Sequence, residues 1–261
     1  MIVGVHPMER LRHVARSGGL DPAIIVAETV DAVTRLGPAP SELVPLCRNL
    51  VERNPTCGPL WWLCAHLLTK PEVLSDAWRL ADDIEGDATP GRLAEGLPDE
   101  ATVMTVGCPV LTAQALRRCG SVSVVAVQAG DDGNRLVRAM DRAGVAVEPV
   151  RPEAMLATMR RADIVLLEAE ACSTDVVVAS MGSGLAAVAA ADVDVPVWLV
   201  AGRGRRLPCS YVDAIGRAAG TEHETFSTSY VGKVVGPEGM LPMSGNALAA
   251  ECPAAPELLP I

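Results

Sequence analysis

Aromatic residues are nearly missing from this 261-residue chain: they make up 3%, with a single phenylalanine and two tyrosines. Hydrophobic residues still reach 49%, so the core has to be assembled from valine, leucine and alanine. That composition suits helices packed on a parallel sheet. Basic residues are also in deficit, 22 against 32 acids, for a formal net charge of −10. With no long run of like charge, this balance argues against a nucleic-acid-binding face. Long apolar runs are absent as well, none approaching the ~18 residues that a membrane span needs. The opening MIVGVHPMERLRH lacks the charged and apolar regions of a secretory signal. The expectation is a cytoplasmic protein with no membrane partner. The eight cysteines, at positions 47, 57, 64, 108, 119, 172, 209 and 252, include no Cys-x-x-Cys pair. They signal neither a zinc site nor a disulfide framework and are expected to be mostly buried thiols. The four histidines, at 6, 13, 66 and 223, have no metal-like spacing, and no cofactor is expected.

What is present is a periodicity that changes near residue 100. The stretches 21-DPAIIVAETVDAVTRLG-37, 41-SELVPLCRNLVERN-54, 57-CGPLWWLCAHLLTK-70 and 72-EVLSDAWRLADDI-84 space apolar residues three or four apart, as amphipathic helices do. Gly37-Pro38, Asn54-Pro55 and Lys70-Pro71 punctuate them. From residue 101, short β-branched runs alternate with helical ones: 101-ATVMTV-106, 122-VSVVAV-127, 145-VAVEPV-150, 163-DIVLLEA-169 and 195-VPVWLV-200. Such alternation predicts right-handed βαβ units and a Rossmann-like, doubly wound parallel sheet. The expected layout is a helical domain over 1–90, a Gly/Pro/acid-rich linker over 91–100, the α/β domain over 101–244, and a Pro/Ala-rich, loosely ordered tail over 245–261.

In open α/β sheets ligands collect beyond the carboxyl ends of the strands, where helix N-termini present unpaired N–H groups. Within 179-ASMGSGLAAVAAAD-192, Gly182, Ser183 and Gly184 form a first helical turn almost bare of side chains. Glycine lets a phosphate oxygen reach the backbone, and the serine hydroxyl adds a donor. The bland alternative is that small residues let the helix sit close to the sheet. The same residues spell Gly182-x-Gly184-x-x-Ala187, a dinucleotide fingerprint that keeps NADP open as a minor alternative. Against it, the fingerprint normally opens the first βαβ unit, and the strand 195-VPVWLVAG-202 ends without an acid for the ribose.

Glu168 and Glu170 end the 163–171 strand on the same side. A partly desolvated carboxylate there would have a raised pKa suited to proton transfer, or both acids would simply begin a loop. Cys108 follows the first strand and precedes a helix, a position that lowers a thiol pKa, or merely places a small residue in a turn. Arg203, Arg205 and Arg206 form a local cluster that would meet one anion or be a solvated basic turn.

Read in order, these pieces resemble the family that joins the regulatory subunits of translation initiation factor 2B to methylthioribose-1-phosphate isomerase and ribose-1,5-bisphosphate isomerase. The segment 53-RNPTCGPLWWL-63, with Arg53 and Thr56, is similar to the family's Arg-Pro-Thr segment. The stretch 133-GNRL-136, with Arg135, is similar to its Gly-x-Arg-Leu helix start, and 16-RSGGLDPAI-24 echoes the isomerases' Arg-Gly-Ala segment. The run 163-DIVLLEAEACSTDVVVASMGSGLAA-187 and the closing 226-FSTSYVGKVVGPEGMLP-242 complete the likeness. The resemblance implies a helical N-terminal domain, a Rossmann-like C-terminal domain that forms a homodimer, and a small phosphorylated metabolite bound between the two.

For the isomerases it further implies an aldose–ketose conversion of a pentose phosphate, with Glu170 and Cys108 as catalytic pair. Gly182, Ser183 and Gly184 would hold the phosphate, with Arg53, Thr56 and Arg135 as further contacts. For the regulatory subunits it implies binding without catalysis. The chain departs from the isomerase pattern: Glu170 replaces an Asp, Cys108 lies one position late, Ala179-Ser180 replaces Asn-Lys, and 126-AVQA-129 replaces Glu-Thr-Arg-Pro.

Overall fold

A computed structural model of the chain describes residues 21–69, 73–129 and 133–259. The opening segment with His6 and His13, the first half of the 16–24 echo, and the Lys70-Pro71 boundary lie outside the described residues.

Among the described residues four helices come first: α1 Pro22–Leu36, α2 Pro40–Arg53, α3 Gly58–Thr69 and α4 Val73–Glu85. Their starts follow from local chemistry. Asp21 caps α1 by accepting from the Ala23 N–H at 3.0 Å, Pro22 holds the first helical position, and Gly37 closes the helix at φ 55°. Glu42 accepts from the Ala39 N–H at 2.8 Å and so satisfies a donor ahead of α2. Helix α3 is buried on nearly all sides, from Gly58 through Leu67, as a central helix should be. Trp61 and Trp62 are core residues: Trp61 donates to the Pro55 carbonyl at 3.0 Å and lies 5.3 Å from the Tyr211 ring.

The segment expected to be a linker is instead a fifth helix, α5 Thr89–Gly96, whose Leu93 is fully buried. Pro90 and Gly91 did not break it, because Pro is tolerated in the first turn. Then follow β1 Thr102–Val106, α6 Val110–Leu116, β2 Ser123–Val127, α7 Gly133–Ala143, β3 Ala146–Val150, α8 Met155–Met159, β4 Ile164–Cys172, β5 Val176–Ser180, α9 Ser183–Asp192, β6 Val197–Val200, α10 Cys209–Ala218, β7 His223–Ser227, β8 Lys233–Gly236 and β9 Gly239–Pro242.

The main sheet has the order β3-β2-β1-β4-β6-β8-β9, parallel throughout except for β9. It is the predicted doubly wound sheet. Alternation along the strands sends Val103, Val124 and Leu166 to a core under α5, α6 and α7. Met104, Val125 and Leu167 go to a core under α8 and α9 on the opposite face. Outside that plan, β5 runs antiparallel to the last residues of β4 and pairs with β7, with a register irregularity at Glu170 between Ala169 and Ala171.

The helical layer and the sheet share a core. Leu60, Leu63 and Cys64 of α3 pack with Ala171, Val178, Tyr211 and Ile215. The tail, expected to be loose, belongs to that core too. Cys252, Ala255 and Leu258 are buried, and Tyr211 Oη donates to the Ala255 carbonyl at 3.0 Å. Pro253 and Pro256 stay exposed while Ala247, Leu248, Cys252, Ala255 and Leu258 are buried, so the tail is pinned at intervals rather than free.

The helical layer meets the sheet's backbone closely at Gly58, where an added Cβ would fall 2.2 Å from the Glu170 carbonyl oxygen. The obstacle is backbone on both sides. Gly58→Ala is expected to destabilise the protein by about 2 kcal/mol or more in urea unfolding. Gly220→Ala, where nothing lies within 4 Å of the added carbon, is expected to leave the midpoint unchanged.

Candidate functional site

The carboxyl ends of β1, β4 and β6 meet the helical layer around one buried cation. Arg205, 3% exposed, lies in the loop after β6. Its Nη2 is 3.1 Å from Glu168 Oε1, its Nη1 is 3.8 Å from Glu170 Oε2, and Nη1 also donates to the Ala169 carbonyl. The loop is held by backbone as well: Cys172 N–H donates to the Arg205 carbonyl at 2.7 Å, and Leu207 N–H to the Cys172 carbonyl at 2.9 Å.

Glu168 is buried and committed. It accepts from the Leu111 N–H at 3.2 Å, the Thr112 N–H at 2.8 Å and the Thr112 hydroxyl at 2.9 Å, and so caps the start of α6. Glu170 is different. Its side chain is one quarter exposed, and its pKa is pushed up, chiefly by burial, with Arg205 opposing and Glu168 adding to the rise. Arg205 is held above its ordinary range despite burial, because Glu168 and Glu170 outweigh that cost.

The bare turn of α9 has a physical account. Gly182 sits at φ 94°, in the left-handed region. At Gly184 an added Cβ would come within 3.2 Å of the Phe226 Cβ, so the glycine lets α9 press against β7. Gly184 N–H donates to Glu224 Oε1 at 2.7 Å, and Ser183 is buried. At Gly184 the anion is therefore the protein's own carboxylate. The dinucleotide-like pattern lies elsewhere than such a fingerprint normally does. Its glycines follow β5, an antiparallel strand off the main sheet, rather than the first strand of a βαβ unit.

The remaining candidates are dispersed. Cys108 is half-buried after β1, packed against the core under α6. Thr56 is half-buried in the turn before α3. Arg53 at the end of α2 and Arg135 on α7 are exposed. A cavity of about 300 Å³ opens between α1, α4 and α6, lined among others by Asp21, Glu85, Asp87, Leu111, Arg203 and Arg205. Of the residues marked in the sequence, Arg203 and Arg205 of the arginine cluster line it, while none of the eight assigned to catalysis or phosphate binding does.

The arginine cluster is not a solvated turn. Arg203 Nη1 is 2.9 Å and Arg206 Nη2 2.6 Å from Glu251 Oε1. Both also pair with Glu238, at 3.3 and 2.8 Å. The sequence reading missed Glu224, Glu238 and Glu251 because their partners lie 32 to 48 residues away. No spacing rule relates residues so distant. The buried thiols of Cys57, Cys172 and Cys252 are pushed up to about 12, mainly by burial, and are unreactive. Among the described residues no group of His, Cys, Asp and Glu is arranged to hold a metal ion. No helix there is long and apolar enough to cross a membrane.

The raised pKa of Glu170 has a consequence for stability. Folding favours its protonated form, so its contribution is fully present below the ordinary carboxyl value of 4.5 and is lost as pH rises through the higher folded value. Glu170→Gln keeps a neutral side chain at every pH. It is expected to melt higher than the parent at pH 7, with the gap closing as the buffer is taken to pH 4.5 and below. A gap independent of pH would show that the side chain's charge does not matter to the fold.

No protein-family model matches this sequence, and no curated protein matches it. Solved structures do. Translation initiation factor eIF-2B from Pyrococcus horikoshii OT3 superposes with a TM-score of 0.77 at 16% identity, covering 94% of this chain and 100% of that one. The eIF2B beta subunit from Chaetomium thermophilum gives 0.69 at 14%, covering 93% of this chain and 90% of that one. A chain of the tetrameric eIF2B-beta2-delta2 complex from the same organism gives 0.71 at 15%, covering 93% of each. The chain has the fold of these initiation factor 2B subunits over nearly its whole length.

Proposed function

We propose that this chain, built on the initiation factor 2B fold, is a non-catalytic binding and assembly protein, similar to that factor's regulatory subunits. The observation that carries the reading is the occupancy of the sheet's anion positions. Glu168 caps α6, Glu224 takes the Gly184 N–H of α9, and Glu251 engages Arg203 and Arg206. A phosphosugar would find carboxylates where it needs donors, and like charges at that range repel. The departures from the isomerase pattern include the loss of its lysine at Ala179-Ser180 and of its arginine in 126-AVQA-129, which supports the same conclusion.

Assembly has its own support. On α9 the side chains of Leu185 and Val188 stand exposed, Leu185 by 59%, with Met181 exposed in the turn before the helix, and α8 packs alongside with Leu156 exposed by 55%. The spacing 185, 188 puts the two helical residues on one face. Residues 183–190 carry no charge, so two copies meeting through this stripe about a two-fold axis would bring no like charges together. A solved relative in fold is itself a tetrameric assembly. We assign the stripe to a homodimer contact.

A second reading keeps the isomerase, and one observation favours it: Glu170 combines partial exposure with a raised pKa at the ligand-binding edge of the sheet. In that case Glu170 and Cys108 would move the proton between adjacent carbons of a pentose phosphate.

Two measurements separate these readings. Leu185→Asp is expected to convert a dimer to a monomer in light scattering while leaving the circular dichroism unchanged. A parent protein that is already monomeric at micromolar concentration would overturn the assembly proposal. Incubation with pentose 1-phosphates, pentose 1,5-bisphosphates and methylthioribose 1-phosphate, followed by NMR, is expected to show no ketose. Turnover that disappears in Glu170→Gln would establish the isomerase instead.

A further inference from the structure

The cavity between α1, α4 and α6 has a wall of two kinds. Ile24 and Ala27 of α1, Pro59 of α3, Ile84 of α4 and Leu111 of α6 give it an apolar panel, on which Ile24 is half exposed. Asp21, Glu85 and Asp87 add carboxylates, and Arg203 and Arg205 add guanidiniums. Its volume of about 300 Å³ is that of a small-ligand site. Neither Glu170, Cys108 nor the α9 turn lies in this wall, so a ligand here meets none of the groups that an isomerase would use.

The charges in and behind the wall do not balance. Arg205 is neutralised by Glu168 and Glu170, and Arg203 shares Glu238 and Glu251 with Arg206. Those three arginines therefore face four carboxylates before the wall's own acids are considered. Asp87 is bound only by uncharged donors, which leave its charge in place: Oδ2 accepts from the Arg203 N–H at 2.8 Å, and Oδ1 from the Thr89 N–H at 2.9 Å and hydroxyl at 2.6 Å. Asp21 uses one oxygen, Oδ1, to cap α1. Among the described residues Glu85 has neither a hydrogen bond nor an ion pair. Even with Glu170 counted as neutral, the acids outnumber the arginines two to one. A cleft with apolar walls concentrates such an excess into a negative potential, which repels anions and draws cations.

We infer that this cavity binds a small organic cation, an ammonium or guanidinium head on an aliphatic body, with Asp21 and Glu85 receiving the head and Ile24, Ile84 and Leu111 the body. An inorganic ion fits less well, because the apolar panel would lie against its hydration shell and no group of acids among the described residues is arranged to hold a metal. An organic cation uses both parts of the wall. Its N–H groups make charge-assisted hydrogen bonds to the carboxylate oxygens that the chain leaves unused, and Gln114, also in the wall, offers an amide oxygen beside them. Its carbon chain removes apolar surface of Ile24 from water. Such a ligand touches α1 and α4 of the helical layer and α6 on the sheet at once, and so ties the two layers together. The inference goes beyond the assembly reading and does not depend on it, since the α9 stripe is no part of this cavity.

The test is thermal melting of the full chain in n-pentylammonium chloride, with sodium chloride at equal ionic strength as reference. Two further probes keep the carbon chain and change the head: 1-pentanol is neutral and sodium hexanoate is an anion. Pentylammonium is expected to raise Tm by about 2 °C or more over sodium chloride, and the other two are expected to give no rise. Asp21→Asn, which preserves the helix cap, and Glu85→Gln, at an exposed position, are each expected to cut the rise by at least half, and the double variant to abolish it. Should Asp21→Asn not accumulate as folded protein, Glu85→Gln alone carries the comparison. No rise in the parent, an equal rise with 1-pentanol, or a rise undiminished in Glu85→Gln overturns the proposal.

Discussion

A single buried guanidinium organises the functional end of this molecule. Arg205 is almost without solvent, and it is paid for by Glu168 at 3.1 Å, by Glu170 at 3.8 Å and by the Ala169 carbonyl. Removing Glu168, the nearer and fully buried counter-charge, would leave the guanidinium uncompensated in the interior, at a typical cost of about 3–5 kcal/mol. The positions of β4, of the loop after β6 and of the start of α6 are therefore interdependent. Glu168 joins them because its oxygens serve Arg205 and the α6 N–H groups at once. The helical layer closes over the same point. Gly58 lies against the Glu170 carbonyl, and Asp87 accepts from the Arg203 N–H at 2.8 Å.

That arrangement bears directly on chemistry. A doubly wound sheet offers its ligands helix N-termini, because unpaired N–H groups and aligned dipoles favour an anion there. This protein spends several of those positions on carboxylates of its own, at α6, at α9 and at the 203–206 loop. The fold is thereby stabilised and the electrostatics of the edge are reversed: the cavity walls carry Asp21, Glu85 and Asp87, while the arginines beside them are already paired. Glu170 stands apart as an acid whose pKa burial pushes up, a group at the edge suited to moving a proton.

Much of the framework was legible without coordinates. The helices over 22–36, 40–53 and 58–69, and the strands at 102–106, 123–127, 146–150, 164–172 and 197–200, fall where apolar spacing put them. Local chemistry was informative there because Asp21, Pro22 and Gly37 act within one turn of their own helix. Legibility failed in three places. The segment 91–100 carries linker composition but forms α5, because Leu93 and Leu97 find a core to fill. The tail has the composition of a free end but is held by Tyr211 and α3. The β5–β7 pair escaped notice because β7, the partner of β5, arrives from beyond two helices, and 223-HETFS-227 is too polar to read as a strand.

The sequence by itself determined the class of the protein. Its periodicities fixed an opening set of helices and a parallel α/β sheet, and its acid excess set the sign of its surface, since these follow from neighbours along the chain. It also marked Gly182, Gly184, Glu170 and Arg203–Arg206 as unusual. Tertiary structure decided what those residues are for. Whether a glycine-rich turn receives a phosphate or a glutamate, and whether an arginine is offered to solvent or locked in the interior, depends on side chains that arrive from dozens of residues away. Electrostatics and close packing act through space, and only the folded chain states which charges share it.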